Sequence, residues 1–538
     1  MKRTAVGPGA AGGSSRCRLR SWSRGPRDRG ARPIAGRLES ANQKRPLNRR
    51  AADRGAAAVG EAGRRLEGVG FLALDDWIYA SYLAARPVNA GRPDREVRRP
   101  DLAAAVLRAI GSPHEALPTV VVAGSKGKGS TAASLAFLLR AAGLSVGLLT
   151  GPPLRSFHER IRLNGRPIDD DDFLRFSAVV EPVARGIPVD PAKGEYIGPI
   201  ALWQAVGYLY FREKGADVVV AEAGRGARFD DTRALGARWA VITPIFEEHV
   251  AELGPTLADI VWHKAGAVGS RTEAVFVGRQ RPDVFRLLQD VRRRGEAGGP
   301  SVRWATFGEA FGVTACEADL QGTRMAGFVG RTAYRASLAL LGRHQADNFA
   351  LAVAVADAVL RSLGRGPLSP AAIERAAASV RWPGRLERLL ERPLVLLDAA
   401  IHRSALDPAL ELVRLARPRR THAVVGLAAG KDPGLLSALR PHVDALWYAP
   451  PTNPHLAPPS AWPPKARAAV DRFFADPMAA IAAALRATPD DGALLLFGTL
   501  SFVADALRAL ERDPADLGDP LAAVSARSGG RGDRPPPP

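Results

Sequence analysis

Cysteine is almost missing: the 538-residue chain holds two, Cys17 and Cys316, far apart and in unlike surroundings. That excludes a disulfide framework and any cysteine-based zinc site, and leaves two ordinary reduced thiols. Long apolar runs are missing as well. No stretch of roughly 18 apolar residues occurs, so no membrane-spanning helix is expected. The basic N-terminus lacks the apolar segment of a secretory signal, and a cytoplasmic protein is the expectation.

Acidic residues do not balance the basic ones, and the net charge is +20. Such an excess suggests nucleic acid until it is mapped. Residues 1–65 hold 17 Lys or Arg against 4 Asp or Glu, so +13 of the +20 sits there. This stretch is rich in Gly, Ala, Ser and Pro and has no apolar periodicity, so disorder is expected. A basic tail of this kind could touch RNA or an anionic surface, but the rest of the chain is near balance. Nucleic acid is therefore not expected as a partner of the main activity. With 46% hydrophobic and 24% charged residues, the whole chain has the composition of a soluble globular protein. It is long enough for two or three domains, each with its own core.

Folded sequence is expected from about Phe71, where Leu74, Trp77, Ile78 and Tyr82 give an apolar stripe at helical spacing. Short Val/Ile/Ala runs, of the kind parallel sheets bury, then alternate with helical patterns. Strands are expected at Pro118–Ala123, Ser145–Thr150, Asp217–Ala221 and Trp239–Pro244, and helices at Lys128–Ala142, Gly198–Phe211 and Leu257–Ala265. A more β-rich, Gly-rich section follows over Ala274–Gly330, then a helix from Asn348 to Leu363. Beyond a linker starting at Gly364–Pro370, strands Leu394–Asp398, Ala423–Leu427, Ala445–Tyr448 and Ala493–Gly498 alternate with further helices. Such alternation predicts parallel sheets between helices. The predicted division is a basic tail (1–68), a first α/β domain (69–366), a smaller second α/β domain (367–518) and a disordered tail (519–538).

The strongest local signal is the run from Thr119 through Gly124-Ser-Lys-Gly127-Lys128-Gly129-Ser130-Thr131. A buried strand enters a glycine-rich turn that opens a helix. Glycines let backbone N–H groups approach phosphate oxygens, and a helix N-terminus adds partial positive charge. Lys128 can reach the outer phosphates, with the Ser130 and Thr131 hydroxyls near a metal-bound one. The spacing is not the ordinary Walker one, because Gly129 separates Lys128 from Ser130, and no base-recognition motif of a simple kinase or GTPase appears.

This run resembles the short phosphate loop of the folylpolyglutamate and dihydrofolate synthases, in the Mur ligase superfamily, written G-T-N-G-K-G-S-T. Thr150-Gly-Pro-Pro-Leu154 and Phe157-His-Glu-Arg-Ile-Arg-Leu-Asn-Gly165 look like the family's T-S-P-H-L and F-N-E-R-I-R-I-N-G. Glu222-Ala-Gly-Arg-Gly with Asp230-Asp-Thr232 resembles E-V-G-L-G-G-R-L-D-A-T-N. His249, Leu253-Gly-Pro-Thr-Leu257 and Lys264-Ala-Gly266 fall at the family's H, L-G-x-T-L and K-A-G. Gly342-Arg-His-Gln-Ala-Asp-Asn348, Trp382-Pro-Gly-Arg385-Leu-Glu387 and Asp398 match G-x-H-Q-x-x-N, W-P-G-R-L-E and the aspartate of D-G-A-H-N-P. The likeness spans about residues 71–512.

The resemblance implies a P-loop Mur-ligase-type ATPase domain followed by a smaller Rossmann-like α/β domain, and the ATP-dependent formation of an amide. It implies that Gly124, Gly127, Lys128, Gly129, Ser130, Thr131, Asn348, Arg385 and Asp398 bind ATP, Asn348 near the adenine and Asp398 at the sugar. Mg²⁺ would be held by Ser130, Glu222, His249 and Lys264, the lysine as a carbamate. Lys128, His249, Lys264 and Arg385 would carry catalysis. The implied substrates are a folate-like acid and L-glutamate, and the family precedent is a monomer.

Several positions depart from the pattern. Gly151 stands where the family has a serine that ligates Mg²⁺, and Pro153 where it has histidine. Glu248 replaces the aspartate before His249, and Asp398-Ala-Ala-Ile-His402-Arg403 loses the last three positions of its motif. Gly198-Pro-Ile-Ala201 stands for T-x-F-E, which lines the pterin pocket, and Arg233 for the asparagine of D-A-T-N. ATP-handling residues are kept better than acceptor-handling ones. Three readings follow: a folate glutamate ligase, a ligase of the same build acting on another acid, and a catalytically silent ATP-binding paralogue.

Overall fold

Five runs of aliphatic and aromatic residues form the parallel centre of the first sheet: β1 (Thr119–Ala123), β2 (Val146–Leu149), β5 (Val218–Glu222), β6 (Trp239–Ile242) and β7 (Ala274–Val277). Being buried on both faces, they need no alternation of polar and apolar residues. Short strands β3 (Ile161–Leu163), β4 (Arg166–Pro167) and β8 (Arg303–Thr306) complete the order β4-β3-β2-β5-β1-β6-β7-β8. Strands from β2 to β8 run parallel, and β3 and β4 add an antiparallel edge. This computed structural model describes residues 72–399, 402–429, 431–452, 462–512 and 517–521. The basic stretch 1–68, Phe71, Cys17, Ile401 and Ser525–Pro538 lie outside the described residues.

Successive β1 side chains go to opposite layers. Val120 and Val122 join Leu135, Leu138 and Leu139 of helix α1 (Lys128–Ala141), while Val121 and Ala123 join Trp203 and Tyr208 of helix α2 (Pro199–Glu213). Helix α3 (Leu257–Ala265) lies on the α2 side. On the α1 side lie helix α4 (Arg343–Ser362) and an antiparallel meander of β9 (Phe311–Asp319), β10 (Gly322–Val329) and β11 (Thr332–Leu338).

The section expected to be β-rich, Ala274–Gly330, also contains a helix, Pro282–Arg293, with Val284, Leu288 and Val291 on its buried face. Its apolar positions at i, i+4 and i+7 are a helical signature that strand-like neighbours masked. Past the expected linker, helix α5 (Pro370–Ser379) packs on α1 and β11. The first sheet's helical layer therefore continues to Ser379, beyond the division placed at 366/367. Residues 519–521, inside the expected tail, are among the described residues. Leu517 is buried in the first core, and Asp519 forms an ion pair with Arg140 of α1 at 2.7 Å.

The second large sheet has the order β12-β13-β17-β14-β15-β16: β12 (Glu387–Glu391), β13 (Leu394–Asp398), β14 (Thr421–Gly426), β15 (Ala445–Tyr448), β16 (Arg472–Phe473) and β17 (Ala493–Gly498). Only β12 is antiparallel to its neighbour. Leu396, Val425 and Leu495 fill one face and Val395, Val424 and Leu496 the other. All described residues belong to one compact unit. Leu154, from the segment after β2, packs on the second sheet's core, so that segment spans both sheets. Among the described residues no helix is long and apolar enough to cross a membrane.

Candidate active site

In a parallel sheet the crevice lies beyond the carboxyl ends of the strands, where neighbouring connections diverge. Here β1 leads into the glycine turn, β5 ends on Glu222 and β6 leads to Thr243-Pro244, all on that edge. Gly124 has φ +140°, and a Cβ there would lie 2.0 Å from Thr243 Oγ1. Only glycine fits, for backbone and for space. The N–H groups of Ser125 and Lys126 donate to Pro244 O at 2.9 and 3.2 Å, which pins the turn to the strand beside it.

Gly127, at φ +82°, caps α1 without any side chain, so the first-turn N–H groups are left for a ligand. Lys128 Nζ folds back onto Gly124 O at 3.1 Å. Ser130 and Thr131 are buried in the first turn, and Thr131 Oγ1 has no hydrogen-bond partner. Asn348 stands against the turn: a Cβ on Gly127 would meet its Oδ1 at 2.5 Å, while its Nδ2 donates to Gln345 Oε1 at 3.1 Å. A Cβ on Gly129 would likewise meet Trp382 Nε1 at 2.7 Å, and that buried N–H has no partner. Two unpaired polar atoms thus border the glycine turn. Buried polar groups are ordinarily satisfied, so these fit a ligand rich in oxygen.

Glu222 accepts from Gly151 N–H at 3.3 Å. Burial raises its pKa, opposed by Lys128, then the Gly151 N–H, Arg385 and Arg160. Arg385, from the segment before β12, faces both Asp398 and Glu222, and burial lowers its pKa against those two carboxylates. Asp398 at the end of β13 is pushed up to about 6 by burial, opposed by Arg385, the Leu386 N–H and Lys126. Leu386 N–H donates to Asp398 Oδ2 at 2.6 Å, in a turn where Leu386 has φ +51°. Charges from the two sheets therefore interleave: Lys126 with Asp398, and Arg385 with Glu222. Between them, Trp382 and Arg385 line a cavity of about 20 Å³ with Gly151, Leu154 and Glu159. That is space for about one water. On the other side, His402 and Phe246 stand with ring centroids 5.6 Å apart, and Lys126 lies 5.1 Å from the same Phe246 ring.

Lys264 is fully buried near the end of α3. Its Nζ donates to Gly124 O (2.9 Å), Arg225 O (2.8 Å) and Glu248 Oε1 (2.8 Å). Burial pushes its pKa down to about 8, against the pull of Glu248. Burial also works to raise Glu248, but the Lys264 and Lys128 charges prevail and hold it below the usual range. His249, at φ +51°, stands 4.0 Å from Glu248 and 3.8 Å from Glu252.

The residues expected to bind ATP come together at this edge. The expected metal set is less uniform. Ser130, Thr131 and Glu222 offer hard oxygen donors, which suit Mg²⁺ arriving with phosphate oxygens and water. Lys264 as an ammonium is a donor and not a ligand. Among the described residues, no group of three or more His, Cys, Asp or Glu side chains could hold a metal ion. No sequence motif assigns a role to Lys126, Trp382 or Arg160, and Glu248 is only a mild replacement in its motif. Arg160 and Trp382 lay inside quoted motifs, but only the fold brings them to Glu222 and Gly129.

Asp231 was also unforeseen. Its Oδ2 accepts from Ala201 N–H at 3.1 Å, and a Cβ on Gly198 would lie 2.2 Å from it. It thus closes the first turn of α2, in the Gly198–Ala201 element. Burial and Asp230 push its carboxyl up to about 7 against Arg98.

No family model matches the chain. A dihydrofolate synthase/folylpolyglutamate synthase of Mycobacterium tuberculosis is 32% identical over 357 residues, 64% of this chain and 72% of that protein. A folylpolyglutamate synthase of Lacticaseibacillus casei is 29% identical over 329 residues, 61% of this chain and 75% of that one. Among solved structures, the M. tuberculosis folylpolyglutamate synthase complexed with ADP and AMPPCP has a TM-score of 0.70 at 27% identity, covering 81% of this chain and all of that one. A folylpolyglutamate synthase–AMPPCP–folate complex has a TM-score of 0.66 at 26% identity, covering 77% of this chain and 95% of that one. The two-part α/β fold, the glycine turn below Trp382 and these relatives agree: the chain belongs to the dihydrofolate synthase/folylpolyglutamate synthase family.

Proposed function

We propose that this chain is an ATP-dependent ligase that joins the amine of L-glutamate to the carboxylate of a folate or dihydropteroate. The observation that carries the reading is Arg385, a cation of the second sheet's side set against Glu222 at the phosphate edge of the first. A carboxylate is a poor electrophile, so its oxygen first attacks the γ-phosphorus of ATP. The P–O bond to ADP breaks and an acyl phosphate forms. The glutamate amine then attacks the acyl carbon, the C–O bond to phosphate breaks, and the ammonium protons pass to water.

In this reading Gly124, Gly127 and Gly129 let the backbone approach the phosphates, Asn348 and Asp398 position the nucleoside, and Lys128 and Arg385 neutralise the migrating group. Fixed cations of this kind stabilise charge without reorganising. Ser130 and Glu222 would hold Mg²⁺, which spreads phosphoryl charge when bound. His249 and Lys264 would hold a second ion once the Lys264 amine has taken up CO₂ as a carbamate, releasing a proton. A pKa of about 8 favours that step, because part of the amine is neutral near pH 7. A cytoplasmic monomer is part of the same proposal.

The test is ADP release by the purified chain with Mg-ATP and glutamate, with and without dihydropteroate or tetrahydrofolate, and a Lys128→Ala control. Pterin-dependent release lost in the control supports the folate ligase; intact ATP binding without release overturns it. One observation favours a different acid in the same chemistry. Asp231 fills the Gly198–Ala201 element, which in the family's pattern lines the pterin pocket. Release only when another carboxylic acid is supplied would establish that reading.

A further inference from the structure

Among the described residues the chain crosses between its two large sheets twice. The first crossing runs from Val380, buried in the first core, to Leu386, buried in the second, and carries Trp382 and Arg385. The return follows helix Leu500–Ala509, whose Phe502, Val503 and Leu507 lie in the second core. There Arg512 Nη2 donates to Leu389 O of β12 at 2.9 Å. Five residues further on, Leu517 is buried in the first core. Five residues reach at most about 18 Å, so the return is short.

Both crossings meet the first-sheet part at the C-terminal end of α1. Helix α5, which leads into the first crossing, is tied there by Arg375 Nη2, which donates to Ala141 O at 2.9 Å. One residue earlier in α1, Arg140 holds Asp519 through two bonds, Nε to Oδ1 at 3.0 Å and Nη2 to Oδ2 at 2.7 Å. Leu517 N–H donates to Gly165 O at 3.4 Å, and Pro520 is buried. Gly165 has φ +90°, and a Cβ there would lie 2.6 Å from Gly518 O. Buried apolar side chains, a bidentate ion pair and close backbone packing thus fasten residues 517–521 in place.

The crossings also share their other end, because the first leads into β12 and the return is bonded to it. A single flexible link lets two bodies swivel about it. A second link beside the first blocks the swivel and leaves bending. We infer that residues 517–521 are a strap that fastens the second-sheet part to the first and confines their relative motion to that bending. Arg385 lies on the first crossing, so the strap holds its approach to Glu222 to one path.

The test measures the distance distribution between spin labels on the two parts of the full chain, in a Cys17→Ser/Cys316→Ser background. The labels sit at Arg286→Cys, exposed on the first part, and Leu415→Cys, 55% exposed on the second. Releasing the strap with Leu517→Asp/Asp519→Arg should widen the distribution about twofold. Arg140→Asp/Asp519→Arg, which restores the ion pair in reverse, should leave it as narrow as in the unaltered chain. Equal widths in the released and unaltered chains overturn the inference, and so does equal widening in the released and charge-reversed chains. Should the released variant fail to fold, Asp519→Arg alone decides by the same two comparisons. The measurement uses neither nucleotide nor substrate, so failure of the ligase reading would leave its outcome unchanged.

Discussion

Asp231 offers the sharpest test of the electrostatics, because one atom can be changed without touching the proposed chemistry. Asp231→Asn keeps an acceptor for the Ala201 N–H that Asp231 Oδ2 binds at 3.1 Å, and removes only the charge. In the folded chain burial, then Asp230, pushes the carboxyl from 3.8 up to about 7, despite Arg98. A folded-state pKa above the unfolded one means that the folded form holds the proton longer. Stability from this group is complete below pH about 4 and is lost as pH rises through 7. About three pKa units at about 1.36 kcal/mol each set a ceiling of about 4 kcal/mol. Asp230 shares the repulsion and is relieved by the same proton, so roughly half, about 2 kcal/mol, is the expected loss. Urea unfolding from pH 4 to pH 8 should show the unaltered chain losing about 2 kcal/mol relative to Asp231→Asn. Parallel pH dependences in the two proteins would refute this account of the Asp230–Asp231–Arg98 cluster.

Three other expectations follow from the site. Gly124→Ala forces a Cβ to 2.0 Å from Thr243 Oγ1 at φ +140°, and should cost roughly 2–4 kcal/mol in denaturant unfolding; a loss below about 0.5 kcal/mol would contradict the tight turn. Lys264→Met leaves Glu248 and two carbonyls without their buried donor. A loss of roughly 3 kcal/mol is expected in thermal unfolding, and an unchanged midpoint would count against the buried pair. Arg385→Ala should lower kcat by on the order of 10²–10³ while nucleotide affinity changes far less; the reverse split would make Arg385 a binding residue only.

The order of elements was legible because its signals are local. Helix α3 falls on its expected bounds, Leu257–Ala265, and β13 on Leu394–Asp398. A buried strand announces itself by an unbroken aliphatic run, and a helix by its apolar spacing. Strand-like neighbours mask helix Pro282–Arg293, and the linker of Gly and Pro before α5 assigns that helix to the second half. Packing decides such membership, and α5 packs on α1 and β11.

The sequence by itself determined the glycine turn, the positions of Glu222, Lys264 and Arg385, and the alternating α/β plan. Those depend on residue type, local spacing and recognisable motifs. Tertiary structure alone decided which charges meet. Arg160 enters the side-chain volume of Gly151, Trp382 covers Gly129, and Asp231 closes the first turn of α2 in the Gly198–Ala201 element. These pairs lie 9, 253 and 30 positions apart in sequence. No local pattern encodes such a contact, because electrostatics and close packing act across space and are set only when the sheets and their edge loops are in place.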